Sequence, residues 1–449
     1  MTTRPAAAGA DSEAASQAHP AGEPVQGRRA IRRHRQSVAA LLVSHALSHT
    51  GNVVVLFTVP FYVLSIGGSG VQVGIAAFFA TFPVVVGGPL GGVLVERIGY
   101  RRSSIVADVI SGTTVAALPL AAFTVGLPFP ALITLVFLGG LFDTPGQTAR
   151  SALLPQLSRA AAMPLERSVG LLDSATRLGT LIGAPVAGLL VATLGPVAAF
   201  YAPTTAFVLA ATLTAALVAT AGTDQHAPTP GTGQPAGYWR DLAEGARFVL
   251  RDPLMRAIAI LVMVTNMLDA ARANALLPLY AADRLGGAAA LGLIVAVFGG
   301  SALLGSLSFG MVAHRLPRRV TFSVCFVLVG AVSHVPFAMG LPLPVLVAGA
   351  VVAGGAAGAL NPILGAVELE RVPAFMRARV FGLLTAVAWA GMPIGGLLAG
   401  IAVDLAGLTV CFAVAGAVYV AVTLVPLRGG VWRLMERDAV ALHVPARAG

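Results

Sequence analysis

Apolar residues in this chain run on for long stretches instead of alternating with polar ones. Runs of roughly 20 residues or more, the length a helix needs to cross the hydrocarbon of a bilayer, start near Val38, Val71, Ser103, Ala131, Arg167, Val197, Leu254, Ala289, Val320, Val345, Val380 and Leu408. They predict about twelve spanning helices. The pattern also repeats. Residues 59–102 align without a gap to 277–320, so that Pro60 falls on Pro278 and Gly92 on Gly310 at a constant offset of 218. Each copy is an apolar helix end, a short loop, a glycine-rich apolar helix and a basic turn. Such a duplicated membrane unit is the build of a transporter with two related halves. The expected fold is an all-α polytopic membrane protein with two pseudo-symmetric six-helix halves. Its parts are a disordered tail (1–36), a first bundle (37–221), a linker (222–253), a second bundle (254–428) and a tail (429–449).

Composition agrees. Hydrophobic residues make up 57% of the 449 residues and charged residues only 11%, against about 25% charged in soluble domains. The net charge of +10 comes from arginine alone, without one lysine. The arginines cluster at 28–35, 97–102, 150–167, 240–256, 315–319, 371–379 and 428–437, which are every second connection plus both ends. The connections at 65–70, 126–130 and 340–344 carry no charge; Asp283 and Arg284 form one mixed exception. The positive-inside rule then puts both termini and the central loop in the cytoplasm. Charge spread thinly along membrane borders excludes a nucleic-acid partner. The run after RRAIRRHR is too long for a signal-peptide core and reads as an uncleaved first helix. Cys325 and Cys411 read as small core residues, with no spacing for a disulfide or metal. The linker opens on a Pro/Gly/Thr stretch. Leu242, Ala246, Val249 and Leu250 then fall on one face of a short helix, either a plain connection or one lying on the membrane surface.

Polar residues inside apolar runs are the candidate site. Asp269 and Arg272 sit mid-run, with Asn266 one turn earlier. A charge at the bilayer centre costs about 2.5–3.5 kcal/mol, so these should face the protein interior, as a functional pair or as a self-satisfied ion pair. The matching first run carries His45, Ser48, His49 and Asn52, spaced i, i+3, i+4 and i+7, and Ser48 falls on Asn266 at the same offset of 218. This stripe is expected across a central cavity from Asp269, its histidines serving packing, binding or protonation. Asp173 with Arg177 reads as end-of-helix pairing, and Asp108 similarly.

Gly92-Val-Leu-Val-Glu96-Arg97-Ile-Gly99-Tyr100-Arg101-Arg102 resembles the signature loop of the Major Facilitator Superfamily, with Glu96 for Asp and Tyr100 for Arg. Gly310 to Arg319, with His314, Arg315 and Pro317, is similar to its degenerate second copy. The resemblance covers the chain beyond the N-terminal tail. It implies a cytoplasmic gate of Gly92, Glu96, Arg97, Gly99, Arg101, Arg102 and Arg315, in which Arg97 and Arg101 pair with carboxylates such as Asp143 and Asp108. Residues 142–157 and 167–190 resemble bacterial drug and siderophore exporters, including macrolide-efflux proteins. Gly179-xxx-Gly183-Ala-Pro185-Val-Ala-Gly188 is similar to the fifth-helix motif of proton-coupled antiporters, with Ala184 and Ala187 as departures; close helix packing with a proline kink accounts for it equally.

The implied function is a secondary active transporter, a proton-coupled exporter of a small apolar or amphipathic compound by alternating access. A siderophore exporter, an importer or a lipid flippase on the same fold are the alternatives. There is no nucleophile elbow, Walker loop, metal-ligand cluster or paired catalytic carboxylates, so neither an enzyme nor a cofactor or metal is expected. The expected setting is a bacterial cytoplasmic membrane, the protein working as a monomer with protons, a small-molecule substrate and the lipid bilayer as partners.

Overall fold

The structure is a computed structural model that describes residues 25–218, 235–373 and 376–436. The linker's Pro/Gly/Thr stretch and the side chains of Gly92, Glu96 and Arg97 lie outside the described residues. Fourteen α-helices follow one another. The first half holds α1 (Val25–Ser65), α2 (Gly70–Ile98), α3 (Tyr100–Thr124), α4 (Phe129–Ala160), α5 (Leu165–Ala199) and α6 (Tyr201–Leu217). After α7 (Pro235–Arg251) come α8 (Pro253–Ala271), a π-helical turn (Arg272–Leu276), α9 (Leu277–Arg284), α10 (Ala288–Val312), α11 (Arg318–Ala338), α12 (Leu343–Arg371), α13 (Arg377–Ala390) and α14 (Met392–Thr423). Ten segments are long and apolar enough to cross a membrane, and α6 is a shorter apolar helix.

The expected twelve spans emerge at two glycines. Gly195 (φ 83°, ψ 163°) breaks α5, and Gly407 (φ 79°, ψ 163°) breaks α14. Each is a one-residue turn between two antiparallel spans, in backbone geometry that an L side chain resists. Gly99 (φ 91°) does the same between α2 and α3, which explains glycine there in the basic loop.

Pseudo-symmetry reaches individual contacts. Tyr62 packs edge-on against Phe200 with ring centroids 6.3 Å apart, and Tyr280 against Phe412 at 5.5 Å. Phe207 fills the space over Gly51 and Gly112, and its counterpart Tyr419 lies against Gly330.

The two halves meet where glycines let backbones touch. A Cβ on Gly400 would come within 2.7 Å of Gly74 Cα and collide with the Gly70 carbonyl; one on Gly188 would lie 2.7 Å from Ala288 O and 3.1 Å from Gly292 Cα. Gly74 matches Gly292 at the 218 offset, and Gly188 matches Gly400 at the 212 offset of the glycine turns. The seams α2–α14 and α5–α10 are thus one contact made twice, both toward the helix ends that carry no arginine cluster, where Arg284 is paired with Asp283. Gly179 and Gly183 instead bring α5 onto α1, within 3.1 Å of His49 and 2.7 Å of Val53. One polar clasp has no twin. Ser69 and Gln72 form a capping box at the start of α2, and both oxygens of Asp404, from the other half, accept the backbone N–H groups of Gly70 and Val71 at 2.8 Å. A carboxylate at a helix N-terminus is favoured by the unpaired donors and the dipole; the residue matching Asp404 is Ala192.

Three boundaries differ from expectation. Helix α1 starts at Val25, so 25–36 is helical. The segment from 429 opens with packed structure: Trp432 and Met435 are buried, Trp432 beside Phe322, and Glu436 lies 3.7 Å from Arg319. Apolar side chains outweigh the chain end's polarity there. In α7, Val249 is buried but Leu250 is 60% exposed, because the helix seats the Gly245–Val249 side against α8 and α13.

Two outcomes follow from the seams. Gly400→Leu should reduce transport at least tenfold while the protein still inserts, whereas Gly310→Leu, whose Cβ meets nothing within 4 Å, should be neutral; quantified membrane levels and vesicle transport check this. Asp404→Ala should weaken the clasp by about 1 kcal/mol, roughly fivefold in the closed-to-open ratio. The rate at which a membrane-impermeant thiol reagent labels Val73→Cys, fully buried on α2 beside Gly74, should rise correspondingly.

Candidate functional site

Two polar clusters lie inside the helices, one in each half. The first is built by α1, α3 and α4. Asp143, Gln147 and Arg150 fall at i, i+4 and i+7 on one face of α4. Gly146 makes room beside them, since a Cβ there would sit 2.7 Å from Ala107 of α3. Arg150 is fully buried. Its Nη1 donates to both oxygens of Asp108 at 3.0 Å, and its Nη2 donates to Ser48 Oγ at 3.0 Å. Ser48 in turn donates to Asp108 Oδ1 at 2.8 Å. Asp143 stands farther off, 3.9 Å from Arg150, with its side chain 13% exposed, and accepts from Gln147 at 2.6 Å. A buried arginine needs this company, because an unpaired charge in the interior costs several kcal/mol.

The expected pairing of Arg101 with these carboxylates is corrected, while the side chain of Arg97 lies outside the described residues. Arg150, which the charge pattern assigned to the basic border, takes both positions. Arg101 instead donates to the carbonyls of Ala215 and Val218 at the end of α6, where the last helical carbonyls lack partners. Arg102 and Arg315 are exposed.

The first-helix stripe divides, with Ser48 and His45 buried and His49 and Asn52 half-buried. Ser48 is fully buried in the Arg150 cluster, and His45 is 4% exposed. His45 Nε2 meets Thr176 Oγ1 and His49 Nε2 meets Thr180 Oγ1, each at 2.8 Å. Both threonine hydroxyls donate to α5 backbone carbonyls, which leaves their oxygens to accept from each histidine Nε2. This zipper joins α1 to α5, and Asn52 is the member that approaches Asp143. Asp173 and Arg177 do pair, at 2.7 Å, in exposed positions on α5.

The second cluster joins α8, the π turn, α11 and α14. Asp269 and Arg272 make no ion pair. Asp269 Oδ2 accepts from the Tyr419 hydroxyl at 3.2 Å, while the Arg272 guanidinium lies 5.8 Å over the Phe298 ring, a cation–π contact. Asn266 is also elsewhere, donating to Ala388 O at 3.1 Å. The cause is local: Arg272 opens the π turn Arg272–Leu276, and Pro278 beyond it has no N–H to return to Asn274. The wider turn rotates Arg272 off the face of Asp269. Such π segments in long helices concentrate at functional sites. His334, fully buried, completes the cluster with its ring centroid 5.7 Å from that of Tyr419.

The pseudo-symmetry makes the two clusters complementary. Asp108 and Arg150 of the first half are matched by Phe326 and Leu364, and Asp269, Arg272, His334 and Tyr419 of the second by Gly51, Val54, Ala116 and Phe207. At these charged positions each half is apolar where the other is polar, although Ser48 is matched by the polar Asn266. Sequence reasoning missed Arg150, His334 and Tyr419. The first was hidden in a basic border and the other two in apolar runs. The i, i+4, i+7 spacing of Asp143, Gln147 and Arg150 was the available signal for the first.

The sequence profile of the Major Facilitator Superfamily matches residues 41–287 and 259–438. The multidrug efflux pump Tap of Mycobacterium tuberculosis is 32% identical over 392 residues, covering 86% of this chain and 92% of Tap. The enterobactin exporter EntS of Escherichia coli is 29% identical over 347 residues, covering 76% of this chain and 79% of EntS. Among solved structures, the nucleoside transporter NupG superposes with a TM-score of 0.67 at 14% identity, covering 88% of this chain and 98% of NupG. With duplicated six-span halves, glycine seams between them and the profile matched along nearly the whole length, this chain belongs to the Major Facilitator Superfamily.

Proposed function

We propose that the protein is a proton-coupled exporter of small amphipathic compounds, drugs or secondary metabolites, acting as a monomer in the bacterial cytoplasmic membrane. The observation that carries this reading is the 32% identity to a multidrug efflux pump over most of both chains. A siderophore cargo is the second reading, favoured by the similarity to an enterobactin exporter. The charge asymmetry of the loops supports cytoplasmic termini. The glycine seams and the Asp404 clasp then close the outer face, and the arrangement is the one in which cargo enters from the cytoplasm. Gly92, Glu96, Arg97, Gly99, Arg101, Arg102 and Arg315 form the inner gate, which must close when the outer seams part.

Within this reading the two clusters divide the work. The Arg150–Asp108–Ser48 set is fully buried and saturated on Arg150 Nη1 and Nη2, which suits a rigid tie between α1, α3 and α4. Asp143, at its edge, has spare acceptor capacity toward the interior. Asp269 has a hydroxyl partner but no ion pair, so it can gain or lose a proton without breaking a salt bridge, and we assign proton coupling to it. Protonation removes the charge, and Arg272 is then the uncompensated group; loss of the proton restores neutrality.

Expression in a drug-hypersusceptible host should raise resistance and lower accumulation of amphipathic dyes such as ethidium; unchanged accumulation across a dye and drug panel would sink the efflux reading. Asp269→Asn should abolish uphill, pH-gradient-driven extrusion while preserving downhill exchange in vesicles; a normal pH-dependent gradient in that variant would remove Asp269 from coupling. Asp108→Asn or Arg150→Gln alone should destabilise the first half by about 3–5 kcal/mol, because a buried charge is left unpaired, and the double variant should recover much of the loss. Thermal unfolding in detergent reads this.

A further inference from the structure

His334 is the one titratable group of the second cluster that the proposed cycle leaves unused. It is fully buried. Its Nδ1 lies 2.7 Å from Gly330 O, and a carbonyl can only accept, so Nδ1 carries a hydrogen and the neutral ring keeps its lone pair on Nε2. That Nε2 is buried with no hydrogen-bond partner. Leaving a buried acceptor empty is unfavourable, because the desolvation of its lone pair is not repaid. Packing does not require the cost, because the matching position of the first half is Ala116. The ring also stands beside the one tyrosine that bonds Asp269: Tyr419 spans from His334, at 5.7 Å between centroids, to Asp269 Oδ2, at 3.2 Å from its hydroxyl. In the first half, Phe207 takes the place of Tyr419 and Gly51 that of Asp269. All three polar groups of the series are therefore additions to a framework that stands without them.

We propose that His334 Nε2 and the Asp269 carboxylate share one exchangeable proton through Tyr419, making the second half a two-site proton store. This rests on the proton-coupled reading above. The charge and atom balance is simple. With the store empty, Asp269 is a carboxylate, His334 is neutral, and Arg272 brings the cluster to zero. One proton raises it to +1, on either end: as the Asp269 carboxyl O–H bond breaks, an N–H bond forms at His334 Nε2, the Tyr419 hydroxyl passing a proton to a water that bridges to Nε2 and regaining one from Asp269, since hydroxyl and Nε2 do not bond directly. Arg272 and Tyr419 are the charged and titratable groups facing this pair from the π turn and α14; Phe412 of α14 and Phe298 of α10 line it with rings. Placing a proton on His334 draws it away from Asp269 into the helix bundle, where it is shielded from the cargo route. His334 is thus a positioning residue for the coupling proton.

The test uses the full-length protein with labelled histidine side chains. His334→Phe identifies the His334 resonance. That signal should show the Nδ1–H tautomer at high pH and change on acidification. Asp269→Asn and Tyr419→Phe should each shift its midpoint. In vesicles, His334→Phe should retain downhill ethidium exchange but displace the pH profile of uphill transport, and adding Tyr419→Phe should displace it no further. Tyr419→Phe restores the Phe207 of the first half, and His334→Ala, which restores Ala116, checks that folding survives without the imidazole. A His334 signal that does not titrate, or that ignores Asp269→Asn, overturns the shared store. Absence of ethidium transport by the unsubstituted protein instead strikes the efflux reading and leaves the titration result standing.

Discussion

Everything else in this molecule depends on backbone meeting backbone at four glycines. Gly74 against Gly400 and Gly188 against Gly292 bring helices of opposite halves closer than any side chain would allow. In lipid there is no hydrophobic drive between helices, so such contacts, made of dispersion and exact shape, hold spans together. They are also easy to part. Few polar bonds bridge the seams, and the one clasp across them, Asp404 on the start of α2, uses two hydrogen bonds that water can replace when they open. A strong ionic seam would lock the halves; a glycine seam lets them rock.

The polar clusters obey the opposite rule. Inside each half, Arg150, Asp108 and Ser48, or Asp269 and Tyr419, are joined by short bonds within a single bundle. Rigid halves and loosely joined seams are what alternating access between two faces requires, since the motion then concentrates at the interface. The placement of buried charge also differs between halves. Arg150 is locked by a bidentate partner, while Arg272 rests on an aromatic face and makes no ion pair with Asp269.

Duplication explains why two unlike clusters can coexist. The repeat fixes the frame: Tyr62 with Phe200 and Tyr280 with Phe412 hold corresponding corners. At other matching positions the halves diverged, Phe207 against Tyr419 and Leu364 against Arg150. A position that accepts an apolar side chain in one half can accept a polar one in the other, provided a neighbour satisfies it.

By itself the sequence determined the spanning helices, their number, the two halves and their register, because hydrocarbon thickness and the cost of exposed polar backbone leave one reading of long apolar runs. It also marked Asp269 and Arg272 as interior residues, since charge in lipid is expensive. It could not say which charges meet. Helical spacing suggested that Asp269 and Arg272 pair, but a π turn separates them. Proximity in sequence suggested that Arg101 meets a carboxylate, but the end of α6 offered open carbonyls first. Arg150 looked like border charge, yet tertiary packing drew it inward beside Asp108 of α3. The apolar pattern is a property of each segment against the bilayer and can be read locally; partner choice depends on which helices touch, and at what rotation, which only the packed bundle decides.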